Sequence, residues 1–139
     1  MEAYIGIKKI WAEPEQHEGA DGYKVIYEDG YESWSPKTTF EKAYHESGKM
    51  SFSEALYALK HGAKIARSGW NGKGMFLTLQ QGSEVDGSLM RNENAKNFYG
   101  NDKVKICPHI DMKAADGSYV VGWLASQTDM LADDWCIVK

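Results

Sequence analysis

Trp70 lies at the tip of a predicted hairpin, where an indole can lay its face against a flat ring. With a nucleobase, such stacking contributes about 1–3 kcal/mol; the plainer role for the residue is core packing. Asn71-Gly72-Lys73-Gly74 follows directly and offers backbone N–H groups, an ammonium, and glycines that let a backbone approach a phosphate closely. An Asn-Gly pair is also what a hairpin turn uses. Arg67 stands just before this turn, and its guanidinium forks onto a phosphate as Lys does not; a solvated strand charge is the alternative. Asp111, between Ile110 and Met112, can accept from ribose hydroxyls, or serve as a surface charge or ion-pair partner. Ser126, Gln127, Thr128 and Asp129 open a predicted short helix whose free N–H groups and positive dipole end attract anions. Ser126 and Asp129 serve equally well as simple caps.

Signals for catalysis are missing, and no catalytic residue is expected. The sequence has no GxSxG, Walker loop, HExxH or strand-following GxGxxG. Asp111, Asp129, Asp133 and Asp134 form an acidic set that could hold Mg²⁺ for phosphodiester cleavage, which supports an alternative reading as a metal-dependent hydrolase. On a short helix such a set is more often a solvated face. Cys107, His109 and Asp111 share a strand face, and Cys136 could join them, but Pro108 interrupts the strand and zinc spacing is absent. Neither a metal nor a cofactor is expected. Trp123 and Trp135 read as core or subunit-interface residues.

The elements that must position these groups read as an antiparallel α+β sheet of hairpins with two or three short helices. Residues 4–12 and 22–35 suggest strands, the latter folded at a two-residue Asp29-Gly30 turn, with a polar loop between the two stretches. Ser35 is placed to cap a helix that has Pro36 at its first position and Phe40, Ala43 and Tyr44 on one stripe. Ser51 with Glu54 makes a capping box for a second helix, whose apolar face is Phe52, Ala55, Leu56 and Leu59 and whose stop is Gly62. Strands at 64–70 and 74–79 are expected to join at Asn71-Gly72. Residues 80–103 are polar and rich in Gly and Asn, and are read as a binding loop or lid with room for a short helix. Strands at 103–113 and 118–124 join at Asp116-Gly117, a short helix runs from Ser126 through Leu131, and residues 135–138 form the last strand.

The whole chain of 139 residues is long enough to bury a core without disulfide staples. A break near residues 45–49 divides an N-terminal strand-hairpin-helix module, 1–49, from an α+β core, 50–139. The formal charge of −4 argues against a coat for bulk nucleic acid, which depends on many Lys and Arg displacing counterions. Two cysteines without CxxC spacing suit a reducing cytoplasm, and the lack of a secretory leader or an 18-residue apolar run suits a soluble protein with no membrane partner. The five Trp and eight Tyr supply flat amphipathic surface for ligands, core or oligomer contacts, and a structural phage interaction module is a further alternative.

Taken together, MSFSEALYALKHGAKIARSGWNGKGMFL (50–77), IDMKAADG (110–117) and WLASQTDMLADDW (123–135) resemble the second type of Thoeris anti-defence protein encoded by phages. Residues 24–44 resemble a module often appended to phage proteins, members of this family included. The resemblance implies a homo-oligomeric sponge, typically a tetramer, that sequesters glyco-cyclic ADP-ribose made by Thoeris TIR enzymes and does not degrade it. Some members also hold CBASS cyclic oligonucleotides at a separate site. For such a ligand, Trp70 would supply the base platform, Asn71, Gly72, Lys73 and Arg67 the phosphate donors, Asp111 a ribose acceptor, and Ser126, Gln127, Thr128 and Asp129 further polar contacts. The resemblance places the protein in the cytoplasm of an infected bacterial host.

Overall fold

The computed structural model describes residues 1–139. Its N-terminal part is a three-stranded meander: β1 (Trp11–Pro14), β2 (Gly22–Ile26) and β3 (Glu32–Pro36), closed by helix α1 (Lys37–Ala43). Residues 1–10 form no strand, contrary to the alternating pattern that begins at Tyr4. Pairing starts with Trp11 opposite Ile26, and β2 ends there, so the chain ahead of Trp11 has no strand to pair with. The tight two-residue turn of this part is at Glu18-Gly19, both with positive φ, between the bridged His17 and Ala20. At Asp29-Gly30 the turn is one residue longer than expected. Tyr27 N–H donates to Tyr31 O and only Gly30 takes positive φ, which makes a three-residue loop with a glycine bulge. Ser35 pairs with Tyr23 as the strand continues, so it does not cap α1; Pro36 occupies the cap position and supplies no side-chain bond.

Helix α2 (Phe52–Lys60) forms where the capping box places it. Ser51 Oγ accepts the Glu54 N–H, and the Glu54 carboxylate accepts the Ser51 N–H. One face of α2, with Ala55 and Leu59 buried, lies on a five-stranded antiparallel sheet in the spatial order 135–138, 64–67, 76–80, 109–113, 119–120. Its strands are β4 (Lys64–Arg67), β5 (Phe76–Gln80), β8 (His109–Lys113), β9 (Tyr119–Val120) and β10 (Trp135–Val138). The core joins Met50, Ala55, Leu59, Ile65, Leu77 and Trp135, all less than a tenth exposed. Met50 bridges Trp135 through hydrogen bonds in both directions, which attaches the chain ahead of α2 to the outer edge of β10.

Residues 80–103 carry the short helix that a loop reading allows, and strand pairing that it does not include. They hold β6 (Ser83–Asp86), a single 3-10 turn at Gly87–Leu89 and helix α3 (Glu93–Tyr99), and β7 (Lys103–Ile106) follows. One pairing register runs from Phe76↔Lys113 through Asp86↔Lys103, so β5-β6 and β7-β8 are the two legs of a single long hairpin. The ladder is interrupted only around Gln81-Gly82 and Cys107-Pro108, where Pro has no N–H to give. Close packing of Gly82 against Ile106 O and the Pro108 ring leaves no room for a side chain on that residue. Helix α4 (Gln127–Met130) is one turn long and is capped by Ser126. No helix is long and apolar enough to cross a membrane.

Candidate functional site

The site is assembled from three separated pieces of chain: the end of β4 with the loop that follows it, the Trp123–Asp129 segment, and the residues that lead into β10. Arg67 is the last residue of β4 and lies opposite Trp135 in the ladder. Its side chain is 15% exposed and every nitrogen is engaged: Nη1 donates to Asp129 Oδ1 at 2.8 Å, Nε to Asp134 Oδ1 at 2.9 Å, and Nη2 to Asp134 Oδ2 at 3.4 Å. The fork that the sequence offers to a phosphate is therefore closed on two internal carboxylates. Asp134 Oδ2 also accepts the Gly69 N–H at 2.8 Å, and a side chain on Gly69 would collide with that oxygen.

Trp70 belongs to an aromatic cluster. Its ring meets Trp135 edge-on at 5.5 Å and Trp123 at 6.3 Å, and Phe52 packs on both of those tryptophans. Its Nε1–H donates to Asp129 Oδ1 at 3.2 Å, so the indole is half-buried and fixed in orientation. Trp135 is fully buried and donates its Nε1–H to Asp129 O at 2.9 Å. Asp129 thus ties together Arg67, Trp70, Trp135 and, through the reciprocal cap, Ser126.

These bonds settle the charge state. Burial pushes the Asp129 carboxyl upward, but hydrogen bonds from Arg67, Trp70 and Ser126 outweigh it and hold the group below the usual carboxylate range. For Asp134 the bond from Arg67 dominates, and its net direction is also downward. The two carboxylates in turn raise the guanidinium, with the Asp134 bond the larger influence. The cluster, one guanidinium against two carboxylates, keeps a net negative charge and sets the position of Trp70.

The residues expected to bind separate into three groups. Arg67, Trp70, Ser126 and Asp129 come together in this network. Asn71, Gly72 and Lys73 lie on the adjoining loop, with Asn71 and Lys73 exposed; Gln127 and Thr128 are exposed on the first turn of α4. Asp111 stands apart. It is 1% exposed at the centre of β8, and Oδ1 accepts the Gly122 N–H at 2.9 Å and faces His109 Nε2 at 3.4 Å, so its side chain anchors the 119–123 segment. The connection around Asn71-Gly72 also differs from expectation: eight residues, 68–75, separate β4 from β5, and positive φ occurs at Gly74. Gly72 is wedged against Met75 and Ala115, while Lys113 Nζ donates to Gly74 O at 3.0 Å, so the loop leans on the 113–117 turn.

Gly69 and the Trp135 indole N–H are parts of the network that the sequence did not single out, and Asp134, weighed there only as one of a Mg²⁺-holding acidic set, serves instead as the partner of Arg67. The available signal was the Asp133-Asp134 pair just before β10, of which Asp134 faces Arg67 once β10 is laid against β4. No three His, Cys, Asp or Glu side chains converge as metal ligands would, and Cys107 and Cys136 are both free thiols.

Residues 50–138 match the family model described as Tad2-like, the Thoeris anti-defense 2-like domain. Over 91 residues the chain is 43% identical to Thoeris anti-defense 2 of Bacillus phage SP01, an alignment covering 66% of this chain and 97% of that protein. The chain belongs to the Thoeris anti-defense 2-like family, and its role is anti-defence.

Proposed function

We propose that the protein counters Thoeris by stoichiometric capture of a cyclic ADP-ribose-type signal, glyco-cyclic ADP-ribose first among them, without breaking a bond in it. The carrying observation is the state of the Arg67-Asp129-Asp134 cluster. All four carboxylate oxygens already accept protein hydrogen bonds, and both acids are held in their charged form against a guanidinium. Such a cluster supplies no free acid or base; it supplies a rigid mount for an indole beside exposed amide and ammonium donors. A preorganised surface of that kind gives affinity because little ordering remains to be done when the ligand arrives.

Captured signal is expected to survive. After the protein is mixed with equimolar purified signal and heat-denatured, the supernatant should activate the receptor as fully as untreated signal does, whereas recovery of a hydrolysed product would overturn the proposal. Trp70→Ala should weaken capture by about 1–3 kcal/mol if the indole stacks on the base, with the folded state still present by circular dichroism. Unchanged calorimetric affinity in a folded Trp70→Ala variant would remove Trp70 from the site.

The same reading extends to a homo-oligomer, in keeping with the tetramers that the resemblance implies, acting in the host cytoplasm. The segments that flank the cluster expose Val121, Leu124 and Leu131 at 74%, 92% and 80%, an apolar surface that a subunit contact would cover. Sedimentation at micromolar concentration should give a mass near four chains; a monomer would count against this part. The resemblance also extends the ligand range to CBASS cyclic oligonucleotides at a separate site.

A further inference from the structure

Residues 1–49 lie outside the family match, yet they carry the whole net charge of the chain. They contain six Lys against ten Asp and Glu, while residues 50–139 contain ten of each sign. Between β1, β2, α1 and the segment after α1 lies a cleft of about 590 Å³, walled by Trp11, Tyr23, Phe40 and Tyr44 and carrying the exposed carboxylates of Glu41 and Glu46. Tyr23 and Phe40 stack at 4.1 Å, and Phe40 meets Tyr44 at 5.2 Å, so the rings form one continuous wall. The Tyr23 hydroxyl donates to Glu41 Oε1 at 2.8 Å and fixes that carboxylate against the wall. Trp11 stands half out in solvent at 51% exposure.

Aromatic faces beside carboxylates select cations, because the negative ring face and the anionic oxygens act with the same sign. The chain already uses this attraction: Lys9 Nζ sits 5.1 Å from the centroid of the Trp11 ring. The cleft's own basic side chains are turned to other partners. His45 Nδ1 is bonded to Glu54 at 2.9 Å, and Lys49 pairs with Glu46 at 3.2 Å in an exposed contact that a better partner can displace.

We propose that this cleft docks an arginine side chain borne on a basic segment of a partner protein. A guanidinium is planar, stacks on aromatic rings and forks onto carboxylates, which matches a ring wall with carboxylates on it better than a compact ammonium does. A single guanidinium fills only part of the cleft, which leaves space for the chain that carries it. The −4 charge of the module steers a multiply charged segment over a longer range than one ion pair reaches. This site shares no residue with the Trp70 cluster, so it stands or falls independently of signal capture.

The test is a nuclear magnetic resonance titration of the full chain with a capped peptide carrying two arginines, with its citrulline counterpart, and with spermine. The arginine peptide should shift the Trp11 indole and the Tyr23 resonances in a saturable way, and the uncharged citrulline peptide should bind about tenfold more weakly. Trp11→Ala and Glu41→Gln should each weaken binding about fivefold or more, while Trp70→Ala leaves it unchanged. Glu41→Gln keeps an acceptor for Tyr23, so it tests the charge even where Trp11→Ala disturbs β1. Absence of saturation, equal binding of the citrulline peptide, or shifts centred on Trp70 would overturn the proposal, and spermine binding as tightly as the peptide would overturn the protein segment as the occupant.

Discussion

Arg67→Ala is expected to cost about 3 kcal/mol of unfolding free energy, because it leaves Asp129 and Asp134 facing each other's charge in a mostly buried corner. The figure sits at the low end for a broken buried pair because the guanidinium keeps 15% exposure and Asp134 keeps 31%, which lets solvent screen part of the loss. Both acids have folded pKa values below their unfolded ones, so their stabilisation is fully present above the unfolded value of about 4 and is lost as pH falls through the folded values. The gap between wild type and variant should therefore be widest near neutral pH and should close below about pH 4. Urea unfolding at a series of pH values measures this directly. A gap under about 1 kcal/mol at pH 7 would mark the triad as an ordinary solvated pair. Removing all three charges together, as Arg67→Met with Asp129→Asn and Asp134→Leu, should cost less than Arg67→Ala alone, since no unpaired charge is left behind.

Trp135→Ala carries the other large expectation, a loss of about 3–5 kcal/mol. The indole is fully buried, packs on Phe52, Trp70 and Trp123, and donates to Asp129 O, so truncation opens a cavity and orphans an acceptor at once. Total stability for a domain is about 5–15 kcal/mol, so this one residue controls a large fraction of it. Denaturant midpoints should fall with little change in slope. Trp135→Phe should recover much of the loss by restoring packing while still lacking the N–H. A Trp135→Ala variant with a wild-type midpoint would mean that the aromatic cluster is not the centre of the core.

An element is legible in the sequence when the partners that fix it are close along the chain. Ser51 and Glu54 find theirs within one helical turn, and α2 was readable for that reason. Asp116-Gly117 was read correctly as a turn, because the Asp116 carboxylate and the positive φ of Gly117 are local properties. Asn71-Gly72 misled because its surroundings are distant in sequence: Asp134 captures the Gly69 N–H and Ala115 crowds Gly72, and these draw the chain into an eight-residue loop. The stretch 80–103 looked loop-like because its strands are solvated on much of both faces and so lack an apolar alternation. Gly87 and Val104 alone are buried between Gln80 and Lys105. Arg67 and Asp111 could be named from sequence as groups worth watching, but whether their charges faced outward or inward was decided by β10 and by Gly122, neither of which is near in the chain.

The bridge between Met50 and Trp135 bears on how the protein is made. β10 is held on one side by β4 and on the other by residues 47–50, so segments more than eighty positions apart must meet before the interior is sealed. During synthesis α2 and the long hairpin can form early from neighbouring residues, but they wait with Leu59, Ile65 and Leu77 uncovered until the segment around residue 135 has emerged. Until that segment is free to pair, the intermediate stays open and sticky, and docking of β10 between β4 and residues 47–50 is the event that seals the interior.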